Sequence, residues 1–249
     1  MKQTELIMGI PITVEIVDED TKKYFTDIFN YFKKVDSKYS TYIEDSEISK
    51  INNGLPKSKW SSEMKTVMSL CKQTKKDTKG YFDIMHNGKC DPSGLVKGWA
   101  INNAAVMLRK KNVTNFYIEA GGDIQVNGHD VEDQPWTVGI RNPFNIDEII
   151  KTLAVTSEGV ATSGTYIRGQ HIYDPFKPKT QLHQVKSLTV IATNIYEADR
   201  FATAAFAMGV GGISFIETTP GLEGYMVTGD KKATYTSGFE RYTSQCLVL

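Results

Sequence analysis

The chain is poor in cysteine, with only Cys71, Cys90 and Cys246, and none of the three stands in a C-x-x-C pair. An odd number without ligand spacing argues against a disulfide framework and against a thiolate metal site, and such usage fits a reducing cytoplasm. There is no excess charge of either sign, since 29 Lys and Arg face 29 Asp and Glu. No global basic field is therefore available to recruit nucleic acid, and the basic stretches at Lys72 to Lys79 and Arg109 to Lys111 read as solvated helix faces. Long apolar runs are missing too. The longest uncharged stretch, Phe201 to Ile216, is too short and too glycine-rich to span a bilayer, so no membrane insertion is expected. The opening M-K-Q-T-E-L-I-M-G-I-P-I-T-V-E-I lacks a long apolar segment, a cleavage site and a lipid-acceptor cysteine. It alternates as a strand does, and the expected location is cytoplasmic. No internal repeat, low-complexity tract or linker interrupts the sequence, which excludes solenoids and strings of modules.

What is present is enough for a full-sized core: 249 residues with 40% apolar content. One domain over residues 1–249, with the option of two intimately packed lobes, is expected. The first strand is read as ending near Asp18. Tyr24, Phe25, Ile28, Phe29, Phe32 and Val35 then recur at helical spacing and give an amphipathic helix. Asp45 or Ser46 can cap a short helix ended by Gly54, and Ser61 or Ser62 opens a longer one that turns Met64, Val67, Met68 and Cys71 inward. A glycine-punctuated loop leads into a helix from about Leu95 to Lys110. Beyond Asn115 short strands dominate: F-Y-I-E-A, D-I-Q-V-N-G, P-W-T-V-G-I, L-A-V-T-S and S-L-T-V-I-A. The closing third adds a helix through Asp199, a short helix near Val210 to Glu217, and strands around Gly224 to Val227 and Ala233 to Thr236. The fold class expected is α+β, a mostly antiparallel sheet core with packed helices.

Four segments can carry chemistry. Asp199 and Thr203 lie four residues apart on an Ala- and Phe-rich helix, so they project from one face about one turn apart. A carboxylate there is compatible with a hard divalent metal bound through both oxygens. From spacing alone, a first-turn acid favoured by the helix dipole, with Thr203 merely packing, accounts for the pair at least as well. Around Asp91, Ser93, Gly94 and Lys97, exposed N–H groups and a cation meet at a helix start, which suits phosphate or an ordinary cap. This spacing is neither a Walker loop nor a G-x-G-x-x-G fingerprint. Ala120-Gly121-Gly122-Asp123 is a close-approach site or a tight turn. Val160 to Tyr166 and His171 to Pro175 read as a polar loop after a strand. His171, outside any apolar stripe, is a better acid/base candidate than His86, His129 or His183, although a loop histidine is often only solvated.

Taken in order, M-G, Y-S-T-Y-x-x-D-S-E-I-S-K-I-N, G-Y-F-D-I, D-P-S-G-L-V-K-G-W-A, A-G-G-D-I, T-S-G-T-Y, H-I-Y-D-P and A-D-R-F-A-T-A form a series. From Met8 to about Gly209 it resembles the ApbE family of FAD:protein FMN transferases. The resemblance implies a T-fold-like architecture, FAD as substrate, a divalent cation that is normally Mg2+, and an acceptor protein modified on a Thr or Ser hydroxyl with release of AMP. It implies that Asp199, Thr203 and the backbone carbonyl of Gly94 hold the metal. It further implies that Met8, Tyr42, Phe82, Asp83, Ile84, Asp91, Lys97 and Tyr173 line the FAD site, with Lys97 toward phosphate, and that His171 helps deprotonate the incoming hydroxyl.

The chain departs from the family pattern in places. Only Met85 to Cys90 stand where relatives usually have a long stretch between F-D-I and the D-x-G-G motif, which implies a reduced wall over the substrate. Pro92 and Ser93 replace Leu-Gly, and Phe176 to Thr180 replace a tight turn. Ala202 offers no side-chain ligand where some relatives carry a carboxylate, so a second metal ion loses that ligand. No D-G-A-T or S-G-A-T string occurs, so the acceptor is expected to be a separate chain. Two other functions stay open at this point, an FAD pyrophosphatase giving FMN and AMP and a flavin-binding module without turnover, and the oligomeric state is not fixed.

Overall fold

The computed structural model describes residues 1–18, 21–164, 172–177 and 184–243. The opening alternating segment is a hairpin, not one strand: β1 (Lys2–Ile7) and β2 (Ile10–Ile16) pair antiparallel around Met8 and Gly9. Both turn residues have positive φ, +57° and +70°, the backbone that a two-residue hairpin loop demands. Three helices follow. α1 (Lys22–Tyr39) buries Phe25, Ile28, Phe29, Phe32 and Val35, the stripe its spacing foretells. In α2 (Glu47–Asn52) the Ser46 hydroxyl accepts from the Ser49 N–H, and in α3 (Ser62–Asp77) Ser61 accepts from Met64 in the same way. A small hairpin, β3 (Met85–His86) with β4 (Lys89–Cys90), turns at Asn87 and Gly88, both at positive φ.

α4 (Ser93–Arg109) begins earlier than the sequence suggests, so Ser93 and Gly94 belong to its first turn rather than to the loop before it. Next come β5 (Phe116–Ala120), β6 (Asp123–Asn127), β7 (Trp136–Asn142), β8 (Asn145–Val155), β9 (Gly159–Gly164) and β10 (Val185–Ala192). After them stand α5 (Ile195–Ala207), α6 (Gly212–Glu217), β11 (Glu223–Thr228) and β12 (Ala233–Tyr235). Among the described residues eight strands form one antiparallel sheet in the order β1-β2-β5-β6-β9-β10-β11-β12. The helices cover one face. There Val14, Ile118, Leu188, Val190 and Met226 join Phe29, Ala100, Ile101 and Phe206 in the larger apolar core. The β7–β8 hairpin covers the other face, where Trp136, Val138, Leu153 and Phe239 meet Val126, Ile191, Tyr225 and Val227. This alternation along the inner strands is the period-two pattern of a sheet buried on both sides, while the outer β1 and β12 stay largely exposed.

Two further expectations need correction. The segment from Val160 to Gly164, read as polar loop, lies within β9, paired with β6 and β10. Its small residues are set by packing rather than by solvent: a Cβ on Gly159 would stand 2.0 Å from the Ile195 backbone nitrogen, so only glycine lets α5 lie this close. β8 also extends further back than L-A-V-T-S, because its first half, N-I-D-E-I, is exposed and charged and carries no apolar alternation. Among the described residues no helix is long and apolar enough to cross a membrane.

Candidate active site

The site gathers where the first turns of α4 meet α5. Asn194 caps α5, accepting from the Glu197 N–H at 3.0 Å. Gln125 holds the same helix end from below, its Oε1 accepting from the Ile195 N–H at 2.8 Å. The first-turn acid that complements the helix dipole is Glu197, which pairs with Arg200. Asp199 stands deeper and is 4% exposed. Its Oδ2 accepts from the Gly98 backbone N–H at 2.8 Å, and its Oδ1 lies 3.8 Å from Lys97 Nζ. One turn on, the Thr203 hydroxyl lies 3.5 Å from the Gly94 carbonyl oxygen. The spacing thus brings together the residues expected at the metal: Asp199, Thr203 and Gly94.

A carboxylate that the sequence left unassigned joins them. Asp123, at the β5–β6 turn, is 1% exposed, with Oδ2 2.5 Å from Lys97 Nζ and Oδ1 3.3 Å from the Thr162 N–H. Burial pushes the Asp199 carboxyl well above the usual carboxylate range; Lys97 opposes this and the nearby Asp123 adds to it. The available signal was the A-G-G-D turn itself, but an acid after two glycines is common in turns. Only the pairing of β6 beside β9 shows that this one points inward.

Beside buried Asp123 opens a cleft. Phe82, Asp83, Ile84, Asp91 and Tyr173, all expected at the dinucleotide, line it together with Gly94, Lys97, Asp199 and Thr203. Phe82 is buried, its N–H bonded to the Thr78 hydroxyl. Asp83 pairs with Lys75 at 2.6 Å and accepts from the Met85 N–H at 3.0 Å. The Asp91 carboxylate accepts from the Ser93 N–H at 2.9 Å at the head of α4. The Tyr173 hydroxyl donates to the Met85 carbonyl at 2.9 Å and to that of Asp83 at 3.2 Å, while its ring lies 4.2 Å from that of His86. Burial, then Asp83 and Asp91, raises its phenol pKa.

Not every expected residue lies here. Tyr42 is 98% exposed, and Met8 is half-buried in the β1–β2 turn, where it packs against the larger core. Neither lines the cleft among the described residues. His171 lies outside the described residues. The described histidine on the cleft is His86, with Ser93, Thr162 and Ser163 as further polar lining. Cys71 and Cys90 are free, and burial pushes their thiols up to about 12 and about 11.

The ApbE family model matches residues 8–88 and 85–226. The chain belongs to the ApbE family. The two matched segments overlap at residues 85–88, on the β3–β4 hairpin. An FAD:protein FMN transferase of Haemophilus influenzae is 30% identical over 129 residues, which cover 48% of this chain and 37% of that protein. One from Escherichia coli K12 is 27% identical over 158 residues, covering 59% and 45%. The chain thus aligns with less than half the length of these curated relatives. Among solved ApbE structures, the flavin transferase ApbE of Vibrio cholerae superposes with a TM-score of 0.85 at 21% identity, covering 97% of this chain and 98% of that one. The ApbE protein of Thermotoga maritima gives 0.86 at 21% identity, covering 98% and 99%. The α+β fold is therefore that of ApbE proteins.

Proposed function

We propose that this chain transfers the FMN half of FAD to a Thr or Ser hydroxyl of a separate acceptor protein, with a divalent cation, magnesium, and releases AMP. The observation that carries this reading is the meeting of three hard oxygen donors, the Asp199 carboxylate, the Thr203 hydroxyl and the Gly94 carbonyl, beside Lys97 in a cleft. The charge count supports a dication as well. Among the described residues, two buried carboxylates, Asp123 and Asp199, share the single ammonium of Lys97. A bound magnesium ion supplies charge neutralisation and electron withdrawal at the diphosphate.

The chain's own groups perform the rest. Lys97 faces phosphate, and Phe82, Ile84 and Tyr173 offer surfaces for the flat rings. His171 accepts the hydroxyl proton as the acceptor oxygen attacks the FMN-side phosphorus. A phosphorus–oxygen bond forms to the acceptor, the diphosphate bond breaks, and AMP leaves with the bridging oxygen and its electron pair. The two apolar cores share one sheet, which supports a single domain over residues 1–249. The free thiols of Cys71 and Cys90 support work in a reducing, cytoplasmic setting.

The test is incubation with FAD, magnesium and a Thr-containing acceptor domain, followed by measurement of AMP and of acid-stable flavin on the acceptor. Covalent flavin with matching AMP is expected. AMP without covalent flavin makes the site an FAD pyrophosphatase, which the short β3–β4 wall would favour. Neither product leaves a flavin-binding module and ends the transferase reading.

A further inference from the structure

The Lys97 ammonium lies between the two buried carboxylates, and its contacts with them are unequal. Its ammonium is 2.5 Å from Asp123 Oδ2 and 3.8 Å from Asp199 Oδ1. Asp123 is itself fixed, because its Oδ1 receives the Thr162 N–H and its carboxylate is 1% exposed. Asp199 is fixed by the Gly98 N–H. Lys97 is thus anchored on the strand side and leans loosely toward the helix side. A desolvated carboxylate without a counter-charge is strongly unfavourable, so this lean matters to the stability of the empty site.

We infer that Lys97, anchored by Asp123, is a built-in counter-ion: it balances Asp199 when no divalent cation is bound, and a cation must bind against it. The anchoring residue is Asp123, which acts on the site through Lys97 and is therefore a positioning residue. The inference rests on Asp199 being a ligand of the divalent cation. The short contact stays with Asp123 while the long one is given up, so a cation can take Asp199 Oδ1 without driving Lys97 out of the cleft. Two positive groups then share the neighbourhood of one carboxylate, and their repulsion weakens cation binding in the absence of the dinucleotide. When a diphosphate is present the ammonium gains a further anionic partner in place of Asp199, so its displacement no longer opposes the cation.

The experiment uses the full chain and magnesium alone, followed by calorimetric titration and thermal melting. Lys97→Met is expected to lower the metal-free Tm by roughly 5 °C or more, because two buried carboxylates lose their counter-charge. The same variant is expected to bind magnesium about tenfold more tightly than the wild type and to gain more in Tm from it. A metal-free Tm that does not fall, or an affinity that is equal or weaker, overturns the inference. If Lys97→Met does not fold, the double variant Lys97→Met/Asp123→Asn removes the cation together with one carboxylate and is expected to regain a folded, metal-free chain. Failure to regain it also overturns the inference. Asp199→Asn separates the two levels. Loss of magnesium binding there, with Lys97→Met unchanged from wild type, sinks this inference alone, whereas magnesium binding retained in Asp199→Asn sinks the metal reading with it.

Discussion

Gly98 and Asp199 are in direct contact across the α4–α5 interface. The Gly98 N–H donates to Asp199 Oδ2 at 2.8 Å, and a Cβ on Gly98 would stand 2.6 Å from the Asp199 Cβ and 2.9 Å from the Ile195 carbonyl oxygen. The orientation of the Asp199 carboxylate is therefore set by the lack of a side chain one helix away.

Gly98→Ala follows from this contact. The backbone carbonyl of Ile195 cannot rotate aside as a flexible side chain would, so the helices must part. A loss of about 1–3 kcal/mol is expected in urea denaturation, together with weaker magnesium binding. Wild-type values for both would mean that the two helices are not packed as described.

Thr203→Val keeps the shape of the side chain and removes the hydroxyl near Gly94. Because the group is half-buried beside a cleft, stability should change by less than about 1 kcal/mol. Magnesium affinity should fall about tenfold, and Thr203→Ser should restore it. Calorimetry decides the point, and an unaltered affinity in the valine variant removes Thr203 from the ligand set.

Gln125 is buried and connects three segments: its Oε1 takes the Ile195 N–H at 2.8 Å while its amide donates to the carbonyls of Val126 and Ser157, each at 2.9 Å. Gln125→Leu strands those partners in an apolar setting, at a cost of about 2–4 kcal/mol. Chemical denaturation with a two-state fit measures it. A loss under about 0.5 kcal/mol would show that other groups or water take over these bonds.

Tyr173→Phe deletes the two hydrogen bonds to the carbonyls of Asp83 and Met85 but leaves the ring beside His86. The expected result is a several-fold higher KM for FAD with kcat nearly kept, and a Tm close to wild type. A fall in kcat at constant KM would place the hydroxyl in the chemistry instead of the wall.

His171→Ala should slow flavin transfer by roughly a hundredfold or more while FAD binding changes far less. Single-turnover kinetics beside equilibrium binding separates the two. An unchanged transfer rate rejects His171 as the base and turns attention to His86, which lines the cleft.

Much of this architecture was legible because burial leaves a periodic trace. Five buried apolar positions of α1, the serine caps at Ser46 and Ser61, and F-Y-I-E-A with its alternating burial all announce themselves. β9 did not, because small residues chosen for close approach to a helix look like loop residues. The β1–β2 turn was hidden by Met8, a side chain seldom found at positive φ. At the site, Asp199 and Thr203 were readable because one helix carries both. Asp123 and Lys97 come from different elements, and only the strand order and the helix crossing bring them within 2.5 Å of each other.

Gly159 has one more consequence. With 2.0 Å between its would-be Cβ and the Ile195 nitrogen, β9 and α5 form a single rigid slab that carries Thr162 on one part and Asp199 with Thr203 on the other. A bulky guest cannot make room by prising that slab apart. Any yielding falls to the facing lip, a two-stranded hairpin held by the Asn52 amide clasping the Cys90 backbone and by the Tyr173 hydroxyl rather than by a wide sheet.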